Sequence, residues 1–293
     1  MKKQWILPAT AVLGGAAAFV LRLVQKRTGF EPGTGLPIPG APAGTALAVL
    51  LAALAVLLLL LVRQLPAETE AGPAFPADFA VHDPRLLTLP VIGVFLTALS
   101  GLADLYEGVT HGNLLAQMSA AADPGYGAVP VLQASAFSPR LQLLMGLLTL
   151  LSAAGLFGAL LSCRAKGAAA PKAADGNLLL VPPVSLVVRL VLTYRMDSVD
   201  PALAAYYVEL LALVFLALGF YRLSSFAFRS GRTRRFALYA CAAVVLSFAA
   251  LADGAPYLSS ILLYAGGGLT LLGFLLLRLA GPQKTGDNGS IIA

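Results

Sequence analysis

The chain is predicted to be an all-α, polytopic membrane bundle with about eight spanning helices. Three observations predict this. First, 58% of its 293 residues are apolar and only 12% are charged, about half the charged share usual in soluble domains. Second, apolar runs of spanning length recur along almost the whole chain, each near the roughly 20 residues a helix needs to cross a bilayer. Third, the positive charge (net +6) gathers in the connections between those runs, which points to membrane topology rather than to nucleic acid.

The expected spans are 5–22, 45–62, 86–105, 141–162, 177–194, 202–221, 236–252 and 257–279. The first follows Lys2 and Lys3 and reads as an uncleaved helix, because Arg22, Lys26 and Arg27 come where a cleavage site and polar mature start would be needed. Segment 30–44 is rich in Pro and Gly and is expected to be a structured loop. The second span has no charge at all and is the clearest of the eight. Pro90 is an expected kink in the third. The connection 106–140 has room for an interfacial helix, and 281–293 is expected to be a disordered cytoplasmic tail.

Orientation follows from counting Lys and Arg. With the N-terminus inside, 14 of the 20 fall on the inner side and 5 on the outer, and Arg189 lies within a span. The positive-inside rule thus places both termini in the cytoplasm. Arg22, Lys26 and Arg27 are the misfit, being on the outer side. Arg222, Arg229, Arg232, Arg234 and Arg235 crowd one inner connection and are expected to contact anionic lipid.

Arg189 is the most informative position. An Arg near a helix centre costs about 2.5–3.5 kcal/mol on insertion scales. The Leu and Val residues of its span offset this by roughly 3–6 kcal/mol, so the helix is marginal alone and needs a partner. Glu209 is the expected partner. It lies as far after the connection between the fifth and sixth spans as Arg189 lies before it, so the two reach similar depth. The pair fixes helix register or marks a solute or proton site. Pro182 and Pro183 either kink the helix or break it, and a break would free carbonyls to line an ion site.

Asp104, Glu107 and His111 would share a face if the third helix ran past Gly108, giving a weak outer-side polar cluster. Asp253-Gly254 reads as turn chemistry. Tyr194, Tyr206, Tyr207 and Tyr257 read as an interfacial aromatic belt. Gly14, Gly15, Gly155, Gly158 and Gly266 to Gly268 read as positions of close helix approach. Cys163 and Cys241 form no CxxC pair, and nothing in the sequence calls for a metal or cofactor. HExxH, GxSxG and phosphate-loop motifs are absent from the sequence.

The stretches TGFEPGTGLPIPG and LTYRMDSVDPALAAYYVELLALVFLALGFY resemble a group of bacterial multi-pass membrane proteins with no assigned activity. The resemblance implies a bacterial cytoplasmic membrane and puts Glu209 on the group's acidic position. It implies no chemistry. Three functional readings follow: a non-enzymatic structural, regulatory or partner-binding protein; a small-solute transporter or channel using Arg189 and Glu209; and an intramembrane enzyme using Asp104 and Glu107.

Overall fold

A computed structural model describes residues 5–31, 36–65, 75–76, 79–80, 85–121, 139–163, 176–197, 203–253 and 258–280, with 111–121, 196–197 and 203–205 by backbone alone. Among these, the regular elements are helices: α1 (Ile6–Thr28), α2 (Pro42–Arg63), α3 (Arg85–Ala121), α4 (Pro139–Cys163), α5 (Val181–Asp197), α6 (Leu203–Ala227), α7 (Thr233–Leu251) and α8 (Leu258–Ala280). Eight of them are long and apolar enough to cross a membrane. The chain is a polytopic helical bundle.

Helices α8, α3, α4, α5, α6 and α7 pack in that order into a closed ring, with α7 returning to α8. Helix α1 lies against α7, and α2 lies against α1 at the edge. Burial follows this order: 67% of the apolar window of α8 is buried and 22% of that of α2. Lipid is as apolar as leucine, so burial alone cannot hold such a ring together, and close backbone contact must contribute. The α3–α8 crossing supplies it. A Cβ on Gly93 would sit 2.5 Å from the Thr270 nitrogen, and one on Gly266 would sit 2.7 Å from the Thr97 nitrogen. Gly158, by contrast, faces open space, so it is not a packing position within the bundle.

Several boundaries differ from those expected. Helix α1 runs on to Thr28 and carries Arg22, Lys26 and Arg27 within it, because pairing partners are at hand for the first two. Helix α2 begins at Pro42 rather than after the Pro/Gly loop, since proline suits a first helical turn, where its missing N–H has no partner to lose. The loop itself is pinned by Ile38 N–H donating to Gly29 O at 2.9 Å and Glu31 N–H to Leu36 O at 3.0 Å. Helix α3 continues through Pro90 and on to Ala121. Its 37 residues make about 55 Å of helix, so the interfacial helix expected in 106–140 is in part the extension of α3. The tail 281–293 lies outside the described residues.

Pro182 and Pro183 do not break the span, which runs from Leu178 to Arg195. They occupy the first turn of α5, just after a short 3-10 turn at Leu178–Leu180. The Leu178 carbonyl, which a break would have freed, accepts the Val181 N–H.

Two ends of the bundle can be told apart. The end of α1, the start of α8 and the α7–α8 connection meet at the distal end, where Arg22 touches Asp253. The start of α7 and the end of α8 meet at the proximal end, where Arg278 touches Thr233. An aromatic plug closes the proximal end. Phe79 is fully buried and meets Phe226, Phe236 and Phe274 edge-on at 5.1, 6.1 and 5.8 Å.

Candidate functional site

The distal third of the bundle holds a layer of buried polar side chains drawn from six helices or their ends. Arg189 of α5 donates through Nη2 to Asp104 Oδ2 of α3, and both side chains are buried. Helix α4 stands between α3 and α5 in the ring, so this ion pair is a chord across the interior. One helical turn toward the proximal end, Ser100 donates to the Ser259 carbonyl at 2.6 Å, tying α3 to the start of α8.

The expected pairing of Arg189 with Glu209 is corrected here. Glu209 Oε1 accepts the Tyr264 hydroxyl of α8 at 2.7 Å, while Arg189 takes Asp104. Arg189 and Glu209 nonetheless belong to one layer, each paired with a residue from another helix. What depth cannot supply is the angle around each helix. Arg189 is turned toward α3 and Glu209 toward α8, each reaching past its neighbour in the ring.

A second pair lies beside the first. Arg22 of α1, fully buried, donates through Nε to Asp253 Oδ1 at 2.7 Å and through Nη1 to Gln25 Oε1 at 2.8 Å. Lys26 reaches the same Oδ1 at 3.3 Å. The Arg22 guanidinium also lies 5.3 Å from the centre of the Tyr207 ring. Asp253 Oδ2 has no hydrogen-bond partner among the described residues. The layer therefore sets three cations, Arg22, Lys26 and Arg189, against three carboxylates, Asp104, Glu209 and Asp253. In a low-dielectric interior, such pairing is what makes buried charge tolerable.

Asp253, expected to be turn chemistry, is thus the anchor of α1. Tyr207, expected in the aromatic belt, turns inward over Arg22. Tyr194 stays exposed, as a belt residue would. Helix α3 does run past Gly108, so Asp104, Glu107 and His111 share one helix. Asp104 is committed to Arg189, Glu107 is half-buried, and the His111 side chain lies outside the described residues. No group of three His, Cys, Asp or Glu side chains able to hold a metal occurs among the described residues. Cys163 and Cys241 are free and buried on separate helices.

Beneath the polar layer, toward the middle of the ring, is a cavity of about 20 Å³ whose wall includes Thr97, Thr149, Ser152, Ser185, Leu216 and Leu263. That is the volume of about one water molecule, but the surface facing the space is apolar, so it offers a water no partners. Thr97 and Ser152 turn their hydroxyls back onto the Gly93 and Leu148 carbonyls of their own helices, at 3.0 and 2.7 Å, so much of their polarity is spent before it reaches the cavity. Neither Asp104 nor Glu107 lines it.

No protein-family model, curated protein or solved structure matches this chain.

Proposed function

We propose that this is a non-enzymatic integral membrane protein with a structural, regulatory or partner-binding role, in which the intramembrane charges hold the helices in register. The observation carrying this reading is that the buried cations meet carboxylates far away in sequence: Arg189 with Asp104, and Arg22 with Asp253. Each link ties helices that the chain itself does not tie. The bacterial cytoplasmic membrane, with both termini inside, is the setting we propose. Support comes from the 14-to-5 distribution of Lys and Arg. The outer-side misfit also shrinks, since Arg22 and Lys26 are matched by Asp253.

A small-solute transporter or channel is the second reading. What favours it is the closed six-helix ring around a small cavity, with the Asp104–Arg189 pair on its distal side. Parting of that pair would open the cavity to one side. One experiment separates the two readings. Cys163 and Cys241 are replaced, single cysteines are placed at Ser185, Leu186, Leu213 and Leu216, and each is challenged from either side with a membrane-impermeant thiol reagent. Silence at all four in folded protein supports the structural reading. Labelling of Ser185 from one side moves the conclusion to transport. An enzyme using Asp104 and Glu107 gains no support from this cavity, which neither residue lines.

A further inference from the structure

The crowded α6–α7 connection divides its arginines into two kinds. Arg234 turns inward and donates through Nε to the Leu65 carbonyl at 2.8 Å, capping the chain as it leaves α2. Arg229 sits at the turn with a left-handed φ of 55° and, like Arg232 and Arg235, is exposed. Arg222 is different from all of these. It lies on α6 five residues before the helix ends, about 7.5 Å inside it. That is headgroup or glycerol depth for a helix of spanning length. Its guanidinium is held 5.5 Å from the centre of the Tyr221 ring and 5.6 Å from that of Tyr239 on α7. It takes part in none of the described ion pairs, and its Nε is buried without a hydrogen-bond partner.

A buried, unspent donor on a cation is costly unless an anion completes it. The neighbourhood supplies the rest of an anion site. Arg235 lies one turn before Tyr239 on α7, so it stands on the same helix face, nearer the proximal surface. Phe215, two turns before Arg222 on α6, packs against Tyr239 with ring centres 6.3 Å apart and extends the face as an apolar strip toward the membrane centre. Cation above, oriented guanidinium at interfacial depth and apolar strip below match the order of groups in a phospholipid.

We infer that the proximal α6–α7 face binds an anionic phospholipid, its headgroup phosphate taken by Arg222 and Arg235 and its acyl chain laid along Tyr239 and Phe215. The two tyrosine rings pre-orient the Arg222 guanidinium, so part of the ordering is done before lipid arrives. The site does not depend on whether the bundle transports a solute. It also narrows the lipid contact expected of all five arginines. Arg234 is spent on a carbonyl, while Arg229 and Arg232 add general surface charge.

The test uses the full chain in nanodiscs of equal parts phosphatidylglycerol and phosphatidylcholine, with retained lipid read by native mass spectrometry. Phosphatidylglycerol should be enriched. Arg222→Gln and Arg235→Gln should each reduce the enrichment by about fivefold, the scale of one basic residue near an anionic surface. Arg63→Gln, which removes an equal charge from the exposed end of α2, should leave it unchanged. Arg235 is exposed, so its variant decides the matter should Arg222→Gln fail to fold. Three results would overturn the inference: no preference for phosphatidylglycerol, an equal loss in Arg63→Gln, or complete displacement of the lipid by excess inorganic phosphate.

Discussion

The two ends of the bundle neutralise their arginines by different means. At the distal end, Arg22 and Arg189 are matched by carboxylates brought from other helices. At the proximal end, among the described residues, Arg234 is met by a backbone carbonyl, Arg278 by a hydroxyl and a ring, and Arg222 by two rings. Burial accounts for the difference: Arg22 and Arg189 are buried, while Arg222, Arg234 and Arg278 are half-buried. The side chains of Arg22 and Arg189 are only 0% and 8% exposed, so an opposite charge is what makes their burial tolerable. The proximal arginines lie near helix ends, where water and lipid headgroups share the work. Distal substitutions should therefore be much the more damaging.

The largest effect is expected at Asp104. Asp104→Ala strands a buried guanidinium and should lower stability by about 3–5 kcal/mol, measured by unfolding in mixed detergent micelles. Exchanging the two residues, Asp104→Arg with Arg189→Asp, should recover much of the loss. Replacing both by Leu is expected to be near neutral or stabilising. A double-Leu protein that folds but fails its cellular role would show that the pair does more than hold helices. A small loss in Asp104→Ala would remove the contrast between the ends.

Asp253→Ala should rank second, at about 1.5–3 kcal/mol, the range for hydrogen bonds to charged groups. It is placed below Asp104 because Arg22 keeps Gln25 and the Tyr207 ring. The signature should be local: α1 should become easier to cleave or label while the six-helix ring holds. Loss of the whole bundle at once would mean that α1 is part of the core.

The eight helices were legible in the sequence because the membrane makes composition and run length nearly decisive. The polar layer was legible only in part. Arg189 and Glu209 stood out as charges in apolar runs, and rise per residue put them at one depth. Their partners did not follow, because the rotation of each helix is set by packing such as the Gly93–Thr270 contact, which no pattern within one helix reveals. Asp104 was noticed for its spacing to Glu107 rather than for its pairing. Asp253 was hidden by Gly254, since Asp-Gly is what an ordinary turn looks like. The available signal was electrostatic. Three cations on the outer side of the first helix violated the topology rule, and a carboxylate at the same end was what would excuse them. Tyr264 gave no signal, as a tyrosine in an apolar run commonly serves as packing alone.

Tyr264→Phe comes next. It removes the hydroxyl that Glu209 accepts and keeps the ring. Side-chain hydrogen bonds within membranes average about 0.6 kcal/mol and reach about 1.7, and this one serves a carboxylate, so the upper part of that range is expected. Unfolding compared with Glu209→Gln checks it. Effects that add fully would mean that the two residues do not share one interaction.

Arg278→Ala is the smallest expected effect and the sharpest check on the proximal end. Arg278 lies in the last turn of α8, where a cation is favoured by the helix C-terminus. Its Nε donates to Thr233 at 2.8 Å, and its guanidinium lies 5.6 Å from the centre of the Phe226 ring. Phe226 belongs to the aromatic plug, so truncation uncovers one edge of a cluster that keeps Phe79, Phe236 and Phe274 in contact. Headgroups and water can solvate what is left. A loss of about 0.5–1 kcal/mol is expected, the scale of a partly exposed cation–ring contact. If Arg278→Ala instead matched Asp104→Ala, the proximal arginines would be as deeply committed as the distal pairs. Burial would then no longer explain why, among the described residues, the distal arginines are the ones met by carboxylates from other helices.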